Sequence, residues 1–119
     1  MVLKGTLLRV SDNSGGRTLK CIQVYNSLGV GLTGDIILGS IRKYRPHRKV
    51  SGGELVKAII IRTTYRLKRK NLFISFQDNA VILINAKGRA LGSRIFGPIG
   101  REVRATKNAK LLSYVAAII

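Results

Sequence analysis

Twenty-two lysines and arginines stand against five aspartates and glutamates in this chain of 119 residues, a formal net charge of +17. So few carboxylates cannot neutralise so many cations within one molecule. Self-repulsion of that size opposes compaction, so a polyanion is expected in the working state. Yet 45% of the residues are hydrophobic, too many for a disordered basic tail. Together these facts require a core-forming protein with a cationic surface. They favour nucleic-acid binding over the blander alternative that the charge runs are simply solvated faces.

The length suits a single domain, residues 1–119. The longest apolar runs, such as Ala58 to Ile61 and Ala80 to Ile84, fall well short of the ~18 residues a membrane span needs. One cysteine, Cys21, cannot form an internal disulfide, and with one histidine, His47, no cysteine–histidine metal cluster is expected. Met1 to Gly5 leads straight into strand-like sequence, without the apolar core of a signal peptide or an Arg/Ser-rich transit segment.

The pattern is mainly β. Thr6 to Val10, Leu19 to Tyr25, Asp35 to Ile41, Leu55 to Arg62, Leu72 to Phe76 and Ala80 to Ile84 are short apolar or alternating runs. Each is bounded by Gly, Asn, Ser or Pro, the punctuation of strands. Short strands at this spacing predict a small five- or six-stranded barrel, in which closure removes exposed edges. After Gly97-Pro98 the composition changes, and Arg101 to Arg104 and Asn108 to Val115 read as short helices, a helical part over about 97–119. The apolar tail from Leu111 to Ile119 is expected to pack on the barrel.

The basic residues fall into four groups. Lys4, Arg9, Arg17, Lys20 and Lys57 lie on the strands and first turn. Arg42, Lys43, Arg45, Arg48 and Lys49 surround Pro46 and His47. Arg62, Arg66, Lys68, Arg69 and Lys70 fill a hairpin. Lys87, Arg89, Arg94, Arg101, Arg104, Lys107 and Lys110 cover the C-terminal third. Cations spread over several faces suit a protein surrounded by phosphate. Tyr44 and Tyr65 sit within dense clusters, where a ring can stack on a base or sugar.

Enzymatic readings find little support. Gly29-Val30-Gly31-Leu32-Thr33-Gly34 is a literal G-x-G-x-x-G, but it precedes a strand and not the helix that would hold a pyrophosphate. His47 lies in a Pro-flanked basic loop without an orienting carboxylate, and Cys21 reads as a small core residue. Asp35, Glu54 and Asp78 are dispersed, so no paired-carboxylate site is expected. No catalytic residue, metal site, cofactor or small-molecule substrate is assigned. Membrane binding lacks an amphipathic helix with aromatics on its apolar face. The rival from another class is a single-strand binder or RNA chaperone on an oligonucleotide-binding barrel, for which the chain is poor in aromatic platforms.

Six blocks then occur in order: Asp12-Asn13-Ser14-Gly15-Gly16-Arg17, Cys21-Ile22, Gly34-Asp35-Ile36-Ile37, Lys57 to Thr63, Asp78-Asn79-Ala80 and Arg94-Ile95-Phe96-Gly97-Pro98. In this the chain resembles the universal large-subunit ribosomal protein fourteen family, in its bacterial and organellar form. The resemblance runs from Met1 to the C-terminus. It implies a five-stranded barrel with a projecting β-ribbon and one or two short C-terminal helices, acting as a structural rRNA-binding protein of the large ribosomal subunit. It also implies intersubunit bridges with small-subunit rRNA, large-subunit proteins three and nineteen as neighbours, and docking of the ribosomal silencing factor.

The resemblance places the bridge at Arg45, His47, Arg48 and Lys49, within a segment matching the family's Pro-Arg-Gly-Lys-Val loop. Large-subunit rRNA contacts are expected at Arg9, Arg17, Lys20, Arg62, Arg66, Lys68, Arg69, Lys70 and Arg94, and a protein-partner surface at Gly97, Pro98, Arg101 and Glu102. Three departures stand out. Lys70-Asn71 replaces the usual Asp-Gly of the ribbon turn, His47-Arg48 replaces Arg-Gly, and Gly100 takes the place of a Thr or Ala. High Ile and Lys, no Trp and few acids fit an AT-rich genome. With no transit segment, they lean toward the mitochondrial matrix over a bacterial cytoplasm.

Overall fold

The computed structural model describes residues 1–46, 50, 52–106, 114–115 and 117–119. Seven strands, β1 (Leu7–Val10), β2 (Gly16–Val24), β3 (Ile36–Tyr44), β4 (Leu55–Arg62), β5 (Leu67–Arg69), β6 (Leu72–Ile74) and β7 (Ala80–Ile84), precede a 3₁₀ helix at Arg101–Thr106. Five of them close a barrel in the order β1-β2-β3-β4-β7, and β5-β6 form a separate two-stranded ribbon. The expected mainly-β fold, a five-stranded barrel with a ribbon, is what the chain adopts. Closure runs through a parallel seam, Arg9 opposite Ala80 and Val10 opposite Val81, while the other barrel pairings are antiparallel.

The apolar residues divide into two layers. Leu8, Leu19, Ile37, Ile41, Ile60 and Leu83 belong to one buried cluster. Ile59, Ile61, Ile82, Ile84, Ile95, Ile99 and Val103 form a second, with Tyr114 and Val115 packed on it. Residues alternate between the two clusters from Ala58 to Ile61 of β4 and throughout β7, so both faces are covered there. That explains why these stretches read as apolar runs and not as alternation, whereas Leu55 and Lys57 at the start of β4 are exposed. The tail is drawn in by backbone bonds: Ile99 N–H donates to Ala117 (3.1 Å), Ile119 N–H to Ile99 (2.8 Å) and Arg101 N–H to Ile119 (3.0 Å).

Differences from the sequence reading are local. β5 is absent from the runs read by apolar pattern, because Leu67 is its one buried residue and two cations fill the rest, and it forms one arm of the ribbon that the resemblance implies. β6 stops at Ile74, short of Phe76. The helix expected at Arg101 to Arg104 is a 3₁₀ helix. Most of the one expected at Asn108 to Val115 lies outside the described residues, and its described members Tyr114 and Val115 are not helical. Lys70 takes φ +41° at the ribbon turn, the left-handed backbone that Asp-Gly would supply more easily.

Arg62 departs most from expectation. Read as an rRNA contact, it is 7% exposed. A register irregularity in the β4–β7 pairing, between Ile60 and Arg62, sets it opposite Ala80 at the end of the barrel wall. Its Nε donates to Asp78 Oδ1 (2.9 Å) and its Nη2 to Asp78 Oδ2 (3.3 Å) and Ser11 Oγ (2.8 Å). Nη1 donates to the carbonyls of Phe96 (3.0 Å) and Pro98 (2.9 Å). Five bonds use the five N–H donors a guanidinium owns, so none is left for a phosphate.

Two substitutions test this packing. A Cβ on Gly39 would lie 2.5 Å from Leu19 Cγ, so Gly39→Ala should cost about 1–3 kcal/mol in urea denaturation. Adding Leu19→Ala should then cost less than it does alone. Arg62→Ala strands Asp78, Ser11 and two carbonyls without their donor and should cost about 3 kcal/mol or more, the range for breaking a buried pair. A loss below ~1 kcal/mol would mean water replaces the guanidinium freely.

Candidate nucleic-acid interface

The carboxylates are largely turned to the fold's own use. Asp12 is buried: Oδ1 accepts from the Ser14 N–H (3.1 Å) and hydroxyl (2.5 Å), and Oδ2 from the Leu83 N–H (3.0 Å). Asp35 Oδ2 accepts from the Leu32 N–H (2.8 Å) and Asn26 Nδ2 (3.1 Å). Asp78 is held by Arg62, and Glu102 by a bidentate pair with Arg69 (2.5–3.0 Å). Most of the described cations are exposed, and exposed Arg–carboxylate pairs add little where they occur.

The loop between β1 and β2 organises the densest of these surfaces. Asp12 pins its floor to β7, and Asn13 Oδ1 accepts from the N–H groups of Ser93 (2.8 Å) and Arg94 (3.2 Å), drawing in the C-terminal segment. Gly15 takes φ +109°, a turn that glycine adopts without strain, and its carbonyl accepts from the Arg45 N–H (2.7 Å). The Phe96 N–H donates to Ser11 (2.8 Å). The result is a hollow of about 310 Å³ bordered by Arg9, Arg17, Arg45, Phe96 and the backbone of Gly15 and Gly16. A wider groove continues from it past Arg9 and Phe96 to Gln77, Gly97 and Pro98. Arg9, 74% exposed, is only loosely paired with Asp78 at 4.0 Å.

The residues expected to bind rRNA therefore separate. Arg9 and Arg17 meet Arg45, which the sequence had assigned to a different role, around one hollow. Arg94 is exposed, with its guanidinium 5.7 Å from the Phe96 ring centre. Lys20 is half-buried and shares a shallow depression with Arg42 and Lys43. On the ribbon Arg66, Lys68 and Lys70 are exposed, Arg66 lying over Phe73 at 5.4 Å. Arg69 instead points inward to Glu102, its side chain 12% exposed. Like Arg62, it serves the fold, because a nearby carboxylate in a partly buried site outcompetes solvent for it.

Of the expected bridge residues, Arg45 is exposed, and His47, Arg48 and Lys49 lie outside the described residues. On the expected partner surface Gly97 (φ +82°) and Arg101 are exposed and Pro98 is half-buried with its carbonyl on Arg62. Glu102 is taken by Arg69. A Cβ on Gly100 would sit 2.7 Å from Thr33 Cγ2, so glycine is the residue that fits there without local movement. Two residues escaped the sequence reading, Phe96 as an exposed ring and Asn13 as a clamp. The register that brings them together spans more than 80 positions and has no local signature.

The tempting motifs keep structural roles. Gly34, at φ +96°, would place a Cβ 2.7 Å from the Glu102 carbonyl oxygen, and the chain goes directly into β3, so the glycines permit close packing. Cys21 is buried, and burial pushes its thiol above its ordinary pKa, with the Gln23 backbone hydrogen bond opposing. Both effects of burial, shielding and a weakened thiolate, make it inert. Tyr44 and Tyr65 are about half exposed. Among the described residues no three His, Cys, Asp or Glu side chains gather to hold a metal, and no helix is long and apolar enough to cross a membrane.

The family model for ribosomal protein L14p/L23e matches residues 1–119, and the chain belongs to that family. It is a structural constituent of the large ribosomal subunit, in a class of proteins without enzymatic activity.

Proposed function

We propose that this family member acts as one domain that binds large-subunit rRNA through phosphate contacts from Arg9, Arg17, Lys20, Arg66, Lys68, Lys70 and Arg94. The observation that carries the reading is the convergence of Arg9, Arg17 and Arg45 on one hollow while Asp12, Asp35, Asp78 and Glu102 are turned to internal bonds. Phosphate is the anion that such an unbalanced surface is suited to meet. Arg62 and Arg69 contribute by holding the framework.

The segment Arg45-Pro46-His47-Arg48-Lys49 faces small-subunit rRNA as an intersubunit bridge in this reading. Arg45 would then join the bridge to the rRNA surface, since it borders the hollow shared with Arg9 and Arg17. Large-subunit proteins three and nineteen are its neighbours, and the exposed Gly97 and Arg101 beside Pro98 offer the docking surface for the silencing factor. Glu102 supports that surface from below through Arg69. The composition supports a mitochondrial ribosome over a bacterial one.

Sedimentation tests the rRNA reading: tagged protein should co-migrate with the large subunit and resist a high-salt wash. Release into light fractions would mark a loosely bound RNA chaperone instead. Replacing Arg45, Arg48 and Lys49 together with Ala should impair subunit joining while leaving incorporation into the large subunit nearly intact. A triple variant missing from large subunits would make the segment an assembly contact. Replacing Arg66, Lys68 and Lys70 should show the opposite bias, and each lost phosphate contact should flatten the salt dependence of rRNA binding by about 0.7–0.9 in log–log slope.

A further inference from the structure

The hollow between the β1–β2 loop and the C-terminal segment has features that a general phosphate-facing surface does not need. It is concave, and its volume of about 310 Å³ lies at the small end of ligand sites, which run ~300–1,000 Å³. A hollow this size is too small to take a duplex and suits one splayed residue of a nucleic acid. Arg9, Arg17 and Arg45 border it together with Asn13 and Asp12, whose carboxylate is taken up by Ser14 and the Leu83 N–H, beside an aromatic ring, Phe96, that is 43% exposed.

The backbone that carries the ring is held on both sides of its Cα: the Phe96 N–H donates to Ser11 and its carbonyl accepts from buried Arg62. The Arg94 guanidinium lies over the ring at 5.7 Å from its centre. The opposite wall is fixed equally well, through the Asp12–Ser14 bonds and the Arg45–Gly15 bond. A hollow lined both by an aromatic ring and by arginine forks offers a stacking face and phosphate-binding groups, the chemistry of the two ends of a nucleotide.

The geometry points to a pocket for a single unpaired, extrahelical nucleotide of RNA, its base stacked on Phe96 and its phosphate held by Arg9, Arg17 and Arg45. This rests on the rRNA-binding reading and names what one part of that surface recognises. Base pairing would bury the base in its own helix and withhold it from the ring, so the pocket selects bulges and loops over continuous duplex.

The test titrates the full chain, at one fixed salt concentration, against an RNA stem carrying one bulged 2-aminopurine, the same stem with the 2-aminopurine paired, and free AMP. The bulged stem should bind about 5- to 150-fold more tightly than the paired one, the factor expected of one stacked base, with quenching of the 2-aminopurine emission. Phe96→Leu should bring the two stems to similar affinity, while Phe96→Trp should keep the preference and the quenching. Arg17→Gln should weaken the bulged stem and flatten its salt slope. Equal binding of both stems by the unaltered protein overturns the pocket and leaves general rRNA binding standing. AMP binding as tight as the bulged stem overturns the need for an RNA context. Failure to bind any of the RNAs overturns the rRNA reading itself.

Discussion

The Arg62 guanidinium holds together more separate parts of this protein than any apolar contact does. It joins the end of β4 to Asp78 before β7, to Ser11 after β1 and to the carbonyls of Phe96 and Pro98 in the C-terminal segment. These are the places where the barrel seam and the outer apolar layer meet. Moving a cation out of water is costly, and only full hydrogen bonding in good geometry offsets it. A lysine would bring three donors on a flexible stem, whereas the planar fork of arginine suits a carboxylate on one edge and carbonyls on the other. Asp78 is a third exposed, which eases the desolvation of the pair and leaves it loosely within reach of Arg9.

A consistent division of labour follows. Carboxylates are scarce in this chain, and Asp12, Asp35, Asp78 and Glu102 each fix a loop or join two segments. The cations left outside then repel one another, so the folded state is strained electrostatically until a polyanion surrounds it. A polyanion that binds only the folded form would therefore raise its stability by mass action. Salt partly substitutes for the polyanion by screening over a Debye length of about 8–10 Å.

The barrel was legible in the sequence because its strands are short, apolar and separated by Gly, Asn and Asp. The double burial of β7 and of Ala58 to Ile61 in β4 was legible too, as runs without polar interruption. The interior role of Arg62 was less visible, since in composition it looks like the other arginines. One clue was available: it continues an apolar run whose residues are buried on both faces, so a side chain in the next position is also placed inside. Arg69 gave no such clue, because its partner Glu102 lies far along the chain. Equally hidden was the meeting of Arg9 and Arg17 with Arg45, which comes from a different basic group and is joined to them by the β1–β2–β3 register. The Asp12-Asn13-Ser14-Gly15-Gly16 turn was read as punctuation, and its hydrogen bonds make it the clamp around which the hollow forms.

The ribbon shows how such anchoring becomes function. Strands of three residues paired over a single turn are marginal on their own, and Lys70 adds a non-glycine residue in left-handed backbone. At its base the Thr63 carbonyl accepts from the Phe76 N–H (3.0 Å), and Asn79 Oδ1 accepts from the Thr64 N–H (2.9 Å). Leu67 is buried, and Arg69 reaches Glu102 in the 3₁₀ helix. Inward contacts therefore alternate with outward cations, Arg66 and Lys68 flanking Leu67. A free hairpin would have to lose conformational entropy on meeting RNA. This one presents Arg66, Lys68 and Lys70 from a base already fixed, so in the proposed role less ordering would be required at the moment of binding. The inward turn of Arg69 removes one cation from the exposed set and ties the ribbon to the 3₁₀ helix.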